Sequence, residues 1–205
     1  MKNLKNSKTY VNLARAFAGE CMARTRYEFI AYGARAEGQR AIAERIERIA
    51  FNEFNHSRMF YSFIQSANTA TIQNIEFTAG YPFREKWVLL DNLKFAADDE
   101  NAEAEEVYAR AAKEADEEGF ADIAGLFRNV QAVERQHREE FLDLYNQLKN
   151  GSLYKKDAQT VWKCPDCGYE ASGKEAFTDC PLCHAKQGSV SVKTPNYLPG
   201  GVSNR

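Results

Sequence analysis

Apolar residues recur at intervals of three and four along most of the first 150 residues. Between residues 39 and 66 the recurring positions are Ile42, Ile46, Ile49, Phe60 and Phe63. Residues spaced in this way lie on one face of an α-helix, which is the face that a folded protein buries. The first 150 residues are rich in Ala, Glu, Arg and Lys, and Pro82 is the one proline among them. They are therefore predicted to form long helices.

Four helices are predicted from this spacing, over residues 8–36, 39–66, 84–117 and 120–149. Each would be about 40–50 Å long at 1.5 Å per residue, and the last stops at the sequence Asn150-Gly151. Two of the connections are short, whereas the stretch SANTATIQNIEFTAGYP makes a long one. Because this order of connections is typical of ferritin-like bundles, residues 1–150 are predicted to form a four-helix bundle of that type.

Acidic residues, two of them paired with a histidine, interrupt the apolar stripe of every predicted helix near its middle. They are Glu20 in the first helix, Glu53 with His56 in the second, Glu100 and Glu103 in the third, and Glu134 with His137 in the fourth. Residues three apart on a helix share a face, so five carboxylates and two imidazoles would converge inside the bundle. Buried carboxylates repel one another and lose hydration, and two cations would offset both costs. Carboxylate and imidazole ligands suit iron or manganese.

A charged helix surface is the alternative explanation, and it would account for a single Glu-x-x-His pair. Two pairs in register with the apolar stripes, matched by acids on the other two helices, favour the metal site. Tyr27 and Tyr108 could hydrogen-bond ligand carboxylates, although a role as aromatic core residues explains them equally well. The apolar stripe of the third predicted helix is expected to continue to Val107. The acids predicted to face solvent are Asp98, Asp99, Glu105 and Glu106.

The composition changes after Gly151, where four of the five cysteines occur close together. In WKCPDCGYEASGKEAFTDCPLCHA they form two C-x2-C pairs, and their positions are Cys164, Cys167, Cys180 and Cys183. This spacing allows four thiolates to hold one tetrahedral metal ion. Zinc would only stabilise the fold, whereas iron would also carry one electron, and the spacing alone leaves both open. The predicted division is a linker at 151–160, a small metal-knuckle domain with β-strands at 161–195 and a coil tail at 196–205.

Charge and hydropathy exclude several classes of partner. A net charge of −2 gives no reason to expect nucleic-acid binding. No stretch approaches the ~20 consecutive apolar residues of a membrane span, and the start MKNLKNSKTY has no apolar signal core. We therefore expect a cytoplasmic protein without a membrane partner, in which thiols stay reduced and the cysteines do not form disulfides.

The two metal-binding patterns together resemble the rubrerythrins. The resemblance covers roughly residues 8–195 and is carried by GECMARTRYEF, NEFNH, ENAEAEEVY, VERQH and the CPDCGY and CPLC knuckles. It implies a mainly α fold, with a ferritin-like four-helix bundle followed by a small rubredoxin-like domain. It also implies two cofactors: a di-iron centre with oxo and carboxylate bridges, and one iron held by four cysteines.

The resemblance further implies roles for the residues of the bundle site. The implied iron ligands are Glu20, Glu53, His56, Glu100, Glu103, Glu134 and His137, with Tyr27 and Tyr108 as hydrogen-bonding neighbours in the catalytic site. Among these, Glu53 and Glu134 would bridge the two irons, and His137 would bind one of them. Glu100 and His56 would alternate on the other iron, with Glu100 bound in the oxidised state.

The implied activity is a peroxidase that reduces hydrogen peroxide to water under oxidative stress. Electrons would come from a rubredoxin or an NAD(P)H-dependent reductase and pass through the four-cysteine iron. A one-electron centre is useful only if the first site must be re-reduced, which favours iron over zinc there. A homodimer, head-to-tail or domain-swapped, would bring the two kinds of site together. The alternatives are a ferroxidase or iron-handling protein and a zinc-stabilised interaction module.

Three residues depart from the family pattern, and one of them is Cys21, an unusual neighbour of the predicted ligand Glu20. Asp99 stands before Glu100, where family members often have glycine, and His184 follows the last cysteine, where rubredoxins usually have glycine. None of the three removes a predicted ligand.

Overall fold

Helices dominate the computed structural model of the chain, which describes residues 3–68, 71–83 and 88–193. The helices within these residues are α1 (Lys8–Ala36), α2 (Arg40–Ser66), α3 (Leu89–Ala102), α4 (Ala109–Glu118) and α5 (Ala121–Lys149), with a π-helical segment at Glu103–Tyr108 and short 3-10 turns at Leu4–Asn6 and Gln187–Ser189. The strands are β1 (Lys155–Lys163), β2 (Glu170–Glu175) and β3 (Ser191–Val192). The predicted coil tail at 196–205 lies outside the described residues. None of the helices in the described ranges is long and apolar enough to cross a membrane.

The mainly α, ferritin-like bundle predicted from the sequence is confirmed. Helices α1 and α2 form one long antiparallel pair, and α3, the π-helical segment and α4 together pack on α5. Residues 71–83 of the connection between the pairs contain no helix or strand, as expected for a long crossover. The third helix begins at Leu89 rather than at 84: Val88 is extended, and residues 84–87 lie outside the described part of the chain.

The π-helical segment changes which residues of the third helix are buried. A π turn closes with i→i+5 hydrogen bonds, so it takes up one residue more than an α turn. Tyr108, five residues after Glu103, is therefore buried with 2% of its surface exposed, whereas Val107 is 39% exposed. The prediction that the apolar stripe continues to Val107 is wrong. Gln131 of α5 donates a hydrogen bond of 2.7 Å to the carbonyl of Ala104 within the segment.

The apolar core of the bundle consists of two separate clusters. The cluster near the α1–α2 turn includes Ile46, Leu93 and Phe141. The cluster at the other end includes Leu13, Phe60 and Phe127. Each long helix passes from one cluster to the other, so the acids at its middle lie in the layer between them.

The small domain is a three-stranded antiparallel sheet in the order β2-β1-β3. Its core contains Trp162, Ala176 and Val190, and the indole Nε1 of Trp162 donates to the carbonyl of Gly173. β1 already begins at Lys155, within the segment 151–160 predicted as a linker, because its first residue pairs with Glu175 of β2.

Contacts at the α1–α2 turn attach the small domain to the bundle. Tyr154 donates a hydrogen bond of 2.7 Å to the side-chain oxygen of Gln39, and Arg40 pairs with Asp166. A Cβ atom at Gly188 would lie 1.8 Å from the carbonyl oxygen of Gly38. The two backbones therefore approach so closely that no side chain fits at position 188.

Glu118, the last residue of α4, caps the first turn of α1. Its carboxylate accepts hydrogen bonds from the backbone N–H groups of Lys8 and Thr9, at 3.0 and 2.8 Å, and from the Thr9 hydroxyl at 2.7 Å. The first N–H groups of a helix have no partner within the helix, and a carboxylate there also interacts favourably with the helix dipole. This contact ties the two halves of the bundle together at the end opposite the small domain.

We expect Glu118→Gln to lower the free energy of unfolding by about 1 kcal/mol because the charged cap is lost. Burial raises the pKa of Glu118, but the hydrogen bonds from Thr9 and Lys8 outweigh it and the net pKa is lowered. The stabilisation is thus present above the ordinary pKa of a glutamate and disappears as the pH falls through the lowered value. Urea unfolding at several pH values measures it. Glu117→Gln, an exposed neighbour, is the control, and an equal effect in both variants would contradict the capping role.

Candidate metal centres

Six of the seven predicted ligands meet in the layer between the two apolar clusters. They are Glu20 of α1, Glu53 and His56 of α2, Glu100 of α3, and Glu134 and His137 of α5, and each is at most 5% exposed. Their positions on the helices follow the spacing read from the sequence, because Glu-x-x-His keeps both side chains on one face. The bundle therefore buries four carboxylates and two imidazoles in one place.

The two imidazoles face the same two carboxylates. The Nδ1 atom of His137 lies 3.0 Å from Glu53 Oε1 and 2.8 Å from Glu134 Oε2. The Nδ1 atom of His56 lies 2.9 Å from Glu53 Oε2 and 3.1 Å from Glu134 Oε1. Glu53 and Glu134 thus each present one oxygen to each histidine, which is the arrangement expected of two bridging carboxylates.

The donor atoms form two groups, and within each group all of them lie within 4.8 Å of one another. The first group is Glu20, Glu53, His56 and Glu134, and the second is Glu53, Glu100, Glu134 and His137. Glu53 and Glu134 are common to both, whereas Glu20 belongs with His56 and Glu100 with His137. The family resemblance implied that Glu100 alternates with His56. The geometry differs, because Glu100 stands on the side of His137, 3.8 Å from its Nδ1 atom.

The seventh predicted ligand, Glu103, belongs to neither group. It is the first residue of the π-helical segment and is half-buried. Burial and the charge of Glu134 raise its pKa to about 8, while Arg26 and His56 act in the opposite direction. Glu103 is therefore close enough to the cluster for its charge to matter, although it does not lie among the grouped donor atoms.

Several buried atoms of the cluster make no hydrogen bond of good geometry with the described residues, even where a histidine nitrogen and a carboxylate oxygen lie close together. They are Oε2 of Glu20, Oε1 of Glu53, Oε2 of Glu100, both carboxylate oxygens of Glu134 and Nδ1 of His137. Buried polar atoms without partners are rare and indicate a missing ion or water. Burial, followed by the charge of Glu134 for Glu20 and of Glu53 for Glu100, raises the pKa of both carboxyls well above the usual range. Two cations at the two groups would satisfy these atoms and remove the repulsion, so the residues fit a di-iron centre.

Two buried tyrosines donate hydrogen bonds to carboxylates of the cluster. The hydroxyl of Tyr27 is 2.5 Å from Glu100 Oε1, and the hydroxyl of Tyr108 bonds to Glu20 Oε1. Burial and the neighbouring acids raise the pKa of both phenols well above the usual value. Both hydroxyls therefore stay protonated and act as donors.

Two further contacts were missed in the sequence. The side-chain amide of Asn52 lies 3.1 Å from Nε2 of His137 and can orient the ring with Nδ1 towards the carboxylates. Asp99, predicted to face solvent, is only 6% exposed, and its carboxylate lies 3.7 Å from the guanidinium of Arg26, which is also buried. Both contacts join different helices, so no local pattern indicates them.

The four knuckle cysteines converge in the small domain. Their sulfur atoms approach to 3.6 Å between Cys164 and Cys183 and to 3.5 Å between Cys167 and Cys180. Thiolates bound to one tetrahedral metal at about 2.3 Å stand about 3.8 Å apart, so the site fits a single metal ion. Both knuckles turn through a left-handed residue, with φ of 77° at Gly168 and 62° at His184. His184 thus keeps the turn that glycine usually makes, and its N–H bonds to the carbonyl of Cys180.

Comparison with known proteins gives the same family for both domains. A family model described as rubrerythrin matches residues 11–145, and one described as the rubredoxin-like domain of rubrerythrin matches residues 162–189. The rubrerythrin of Clostridium perfringens is 39% identical over 96% of this chain and 100% of its own length. That of Porphyromonas gingivalis is 36% identical over 96% and 95%. Among solved structures, fully reduced, all-ferrous nigerythrin has a TM-score of 0.59 at 26% identity and covers 94% of each chain.

We expect the chain to lose stability with rising pH when the two metal ions of the bundle site are removed. The pKa values of Glu20, Glu100 and Glu103 are raised in the fold, so their stabilising protonated forms are lost as the pH rises, for Glu103 through about 8. The pKa values of His56 and His137 are also raised, to about 12 and 9, so their contribution is complete below about 6.5 and shrinks above it.

Thermal unfolding between about pH 5 and 9, with and without bound metal, measures this effect. The melting temperature of the metal-free chain should fall by several degrees across that range. The loaded chain should lack this fall, because cations hold the carboxylates ionised. Parallel curves for the two forms would contradict the electrostatic account of the site.

Proposed function

The chain belongs to the rubrerythrin family, and from its two metal centres we propose that it reduces hydrogen peroxide to water as a defence against oxidative stress. Members of this family are generally peroxide-reducing oxidoreductases, and this chain carries the di-iron carboxylate site and the four-cysteine, rubredoxin-type iron site of the family. The observation that carries the proposal is the pair of donor groups that share Glu53 and Glu134.

Reduction of one peroxide to two waters consumes two electrons and two protons. Two adjacent irons, when bound, supply one electron each. The shared residues Glu53 and Glu134 hold the two positions together, and Glu20 with His56 completes one of them. The other position is completed by Glu100 and His137, and Glu103 stands beside the cluster.

In this proposal the acid that alternates with His56 is Glu103 rather than Glu100. Glu100 is engaged on the opposite side by His137 and by the hydroxyl of Tyr27. Glu103 is outside both donor groups, and the charge of His56 already affects its pKa. A carboxylate suits the more positive, oxidised pair and a neutral imidazole the reduced pair. The π-helical segment at Glu103 fits this role, since such segments often occur at functional sites.

Neighbouring residues keep the ligands oriented and the site dry. Tyr27 and Tyr108 remain protonated and each holds one carboxylate oxygen, of Glu100 and Glu20 respectively. Asn52 steadies the His137 ring. The apolar clusters on either side exclude bulk water, which strengthens the electrostatic interactions between the ligands and the metals.

In this proposal electrons pass between two copies of the chain. The small domain contacts residues Gly38, Gln39 and Arg40, whereas Glu53 lies 13 positions further along α2, or roughly 20 Å. A homodimer, head-to-tail or domain-swapped, would bring the partner's four-cysteine iron closer. A candidate surface for it, called the α1–α2 face, consists of four large side chains of these two helices that are 40–70% exposed: Phe29, Tyr32, Phe51 and Phe54. Exposed apolar patches of this kind mark association sites.

The electron donor in this proposal is a rubredoxin or an NAD(P)H-dependent reductase, acting in the cytoplasm. The knuckle site supports the location, because its four cysteines bind a metal as thiolates and thiols stay reduced in the cytoplasm. The knuckle carries Cys183 and Leu182 at the surface, so a donor can approach the four-cysteine iron directly.

Metal analysis and an anaerobic assay test the activity. We expect about three irons per chain, the visible spectrum of a ferric tetrathiolate, and peroxide-dependent oxidation of NAD(P)H in the presence of a rubredoxin reductase. Oxidation of added ferrous iron by oxygen without peroxide turnover would instead indicate a ferroxidase. Zinc in the knuckle site would exclude internal electron delivery.

Substitutions at His56 and Glu103 test the alternating ligands. We expect His56→Asn and Glu103→Gln each to retain both irons of the bundle and to lower kcat/KM for peroxide by about 10–100-fold. Glu100→Gln is the comparison, and it should lower iron occupancy because Glu100 belongs to a donor group and, unlike His56 and Glu103 in this proposal, has no alternating residue that takes its place. Loss of both irons in His56→Asn, or unchanged turnover in Glu103→Gln, would contradict the assignment.

The dimer is tested by sedimentation and turnover together. We expect the double variant Tyr32→Lys/Phe51→Lys to sediment as a monomer, to keep its irons and to lose most of its peroxide turnover. Phe83→Lys is the control, because Phe83 is 82% exposed but lies on the crossover rather than on the α1–α2 face. A fully active wild-type monomer would contradict the dimer.

A further inference from the structure

A cavity of about 480 Å³ lies between α1, the π-helical segment and the end of the crossover. The exposed side chains of Arg15 and Arg110 line it, together with crossover residues 78–82. Glu103 and Tyr108 also line it. A water molecule occupies roughly 30 Å³ in the liquid, so the cavity holds several molecules of that size.

This cavity extends from the exposed side chains of Arg15 and Arg110 to Glu103 and Tyr108. The grouped ligands are at most 5% exposed, so a molecule from solvent cannot reach them directly. Tyr108 lines the cavity and donates a hydrogen bond to Glu20 of the cluster, and Glu103 lines the cavity three residues after the ligand Glu100. A second cavity of about 220 Å³, lined by Phe29, Gly33 and other residues, contacts none of the predicted ligands.

Tyr81 of the crossover forms part of the wall beside the ligand Glu20. Its hydroxyl donates a hydrogen bond of 3.0 Å to the carbonyl of Arg15, which fixes the ring across α1. The ring atom Cε1 is 3.5 Å from the place where a Cβ of Gly19 would stand. Gly19 immediately precedes Glu20, so the ring covers α1 at a position without a side chain. A larger residue at 19 would have to displace the ring or project into the cavity.

We propose that this cavity is the route by which peroxide reaches the di-iron site, and that the contact between Tyr81 and Gly19 sets its width. The inference rests on the proposed function for its substrate, but the route itself is independent of the reaction. The residues that line it suit a small molecule that forms hydrogen bonds: Asn12, Arg15 and Arg110 offer donors, and Tyr108 and Glu103 stand beside the ligands. Bulky alkyl hydroperoxides would be hindered by the Tyr81 ring.

Two glycine substitutions in the same helix test the route. Gly19→Leu should fill the cavity beside Tyr81, whereas Gly33→Leu adds the same side chain to α1 at the second cavity, where no atom stands within 4 Å of the new Cβ. The probe is azide, whose association with the oxidised di-iron centre is followed by absorption in a stopped-flow instrument. We expect Gly19→Leu to slow azide association and peroxide turnover roughly tenfold, with unchanged iron content, and Gly33→Leu to leave azide association within about twofold.

A second pair of variants tests the width. Tyr81→Ala should raise kcat/KM for cumene hydroperoxide relative to hydrogen peroxide by roughly fivefold or more, while Tyr81→Phe, which keeps the ring, should stay near the wild-type ratio. If Gly19→Leu loses iron, the two Tyr81 variants still test whether the Tyr81 ring limits the width of the route. Unchanged azide association in an iron-loaded Gly19→Leu, or an unchanged ratio in Tyr81→Ala, would overturn the inference. If wild type fails to reduce peroxide but azide still responds to Gly19→Leu, the proposed function fails and the route stands.

Discussion

Burial of several carboxylates in the middle of a helix bundle is the constraint on which the rest of the structure depends. Glu20, Glu53, Glu100 and Glu134 lose hydration together and repel one another, a cost that two cations offset. Because the acids come from four helices, the metals that they bind also hold those helices together. The two apolar clusters at either end supply the packing that the polar layer cannot.

The same constraint explains the residues around the site. Tyr27 and Tyr108 each satisfy one carboxylate oxygen, and Asn52 occupies the free nitrogen of His137, so each limits the number of unpaired buried atoms. Glu103 differs because it lies between the cluster and the cavity. The proposed alternation of Glu103 with His56 needs an environment that tolerates both positions of the carboxylate, and a half-buried acid beside a cavity has such an environment.

The two metal centres lie in different parts of the chain. The small domain is attached to the α1–α2 turn by a close approach of Gly188 to Gly38 and by polar contacts, which leaves its metal site far from the middle of its own bundle. The proposed homodimer addresses this separation, and the exposed aromatic side chains of the α1–α2 face are the surface proposed for it.

The sequence by itself determined the helices, the apolar stripes, the Glu-x-x-His pairs and the two knuckles, because each depends on residues only a few positions apart, and helical or turn periodicity converts that spacing directly into a shared face. The partners across helices were decided by tertiary structure. The π-helical segment moved burial from Val107 to Tyr108, the packing of α1 on α3 buried Asp99 against Arg26, and the relative rotation of the helices put Glu100 beside His137 rather than His56. These outcomes depend on how separate helices pack, and one-dimensional spacing does not contain that information.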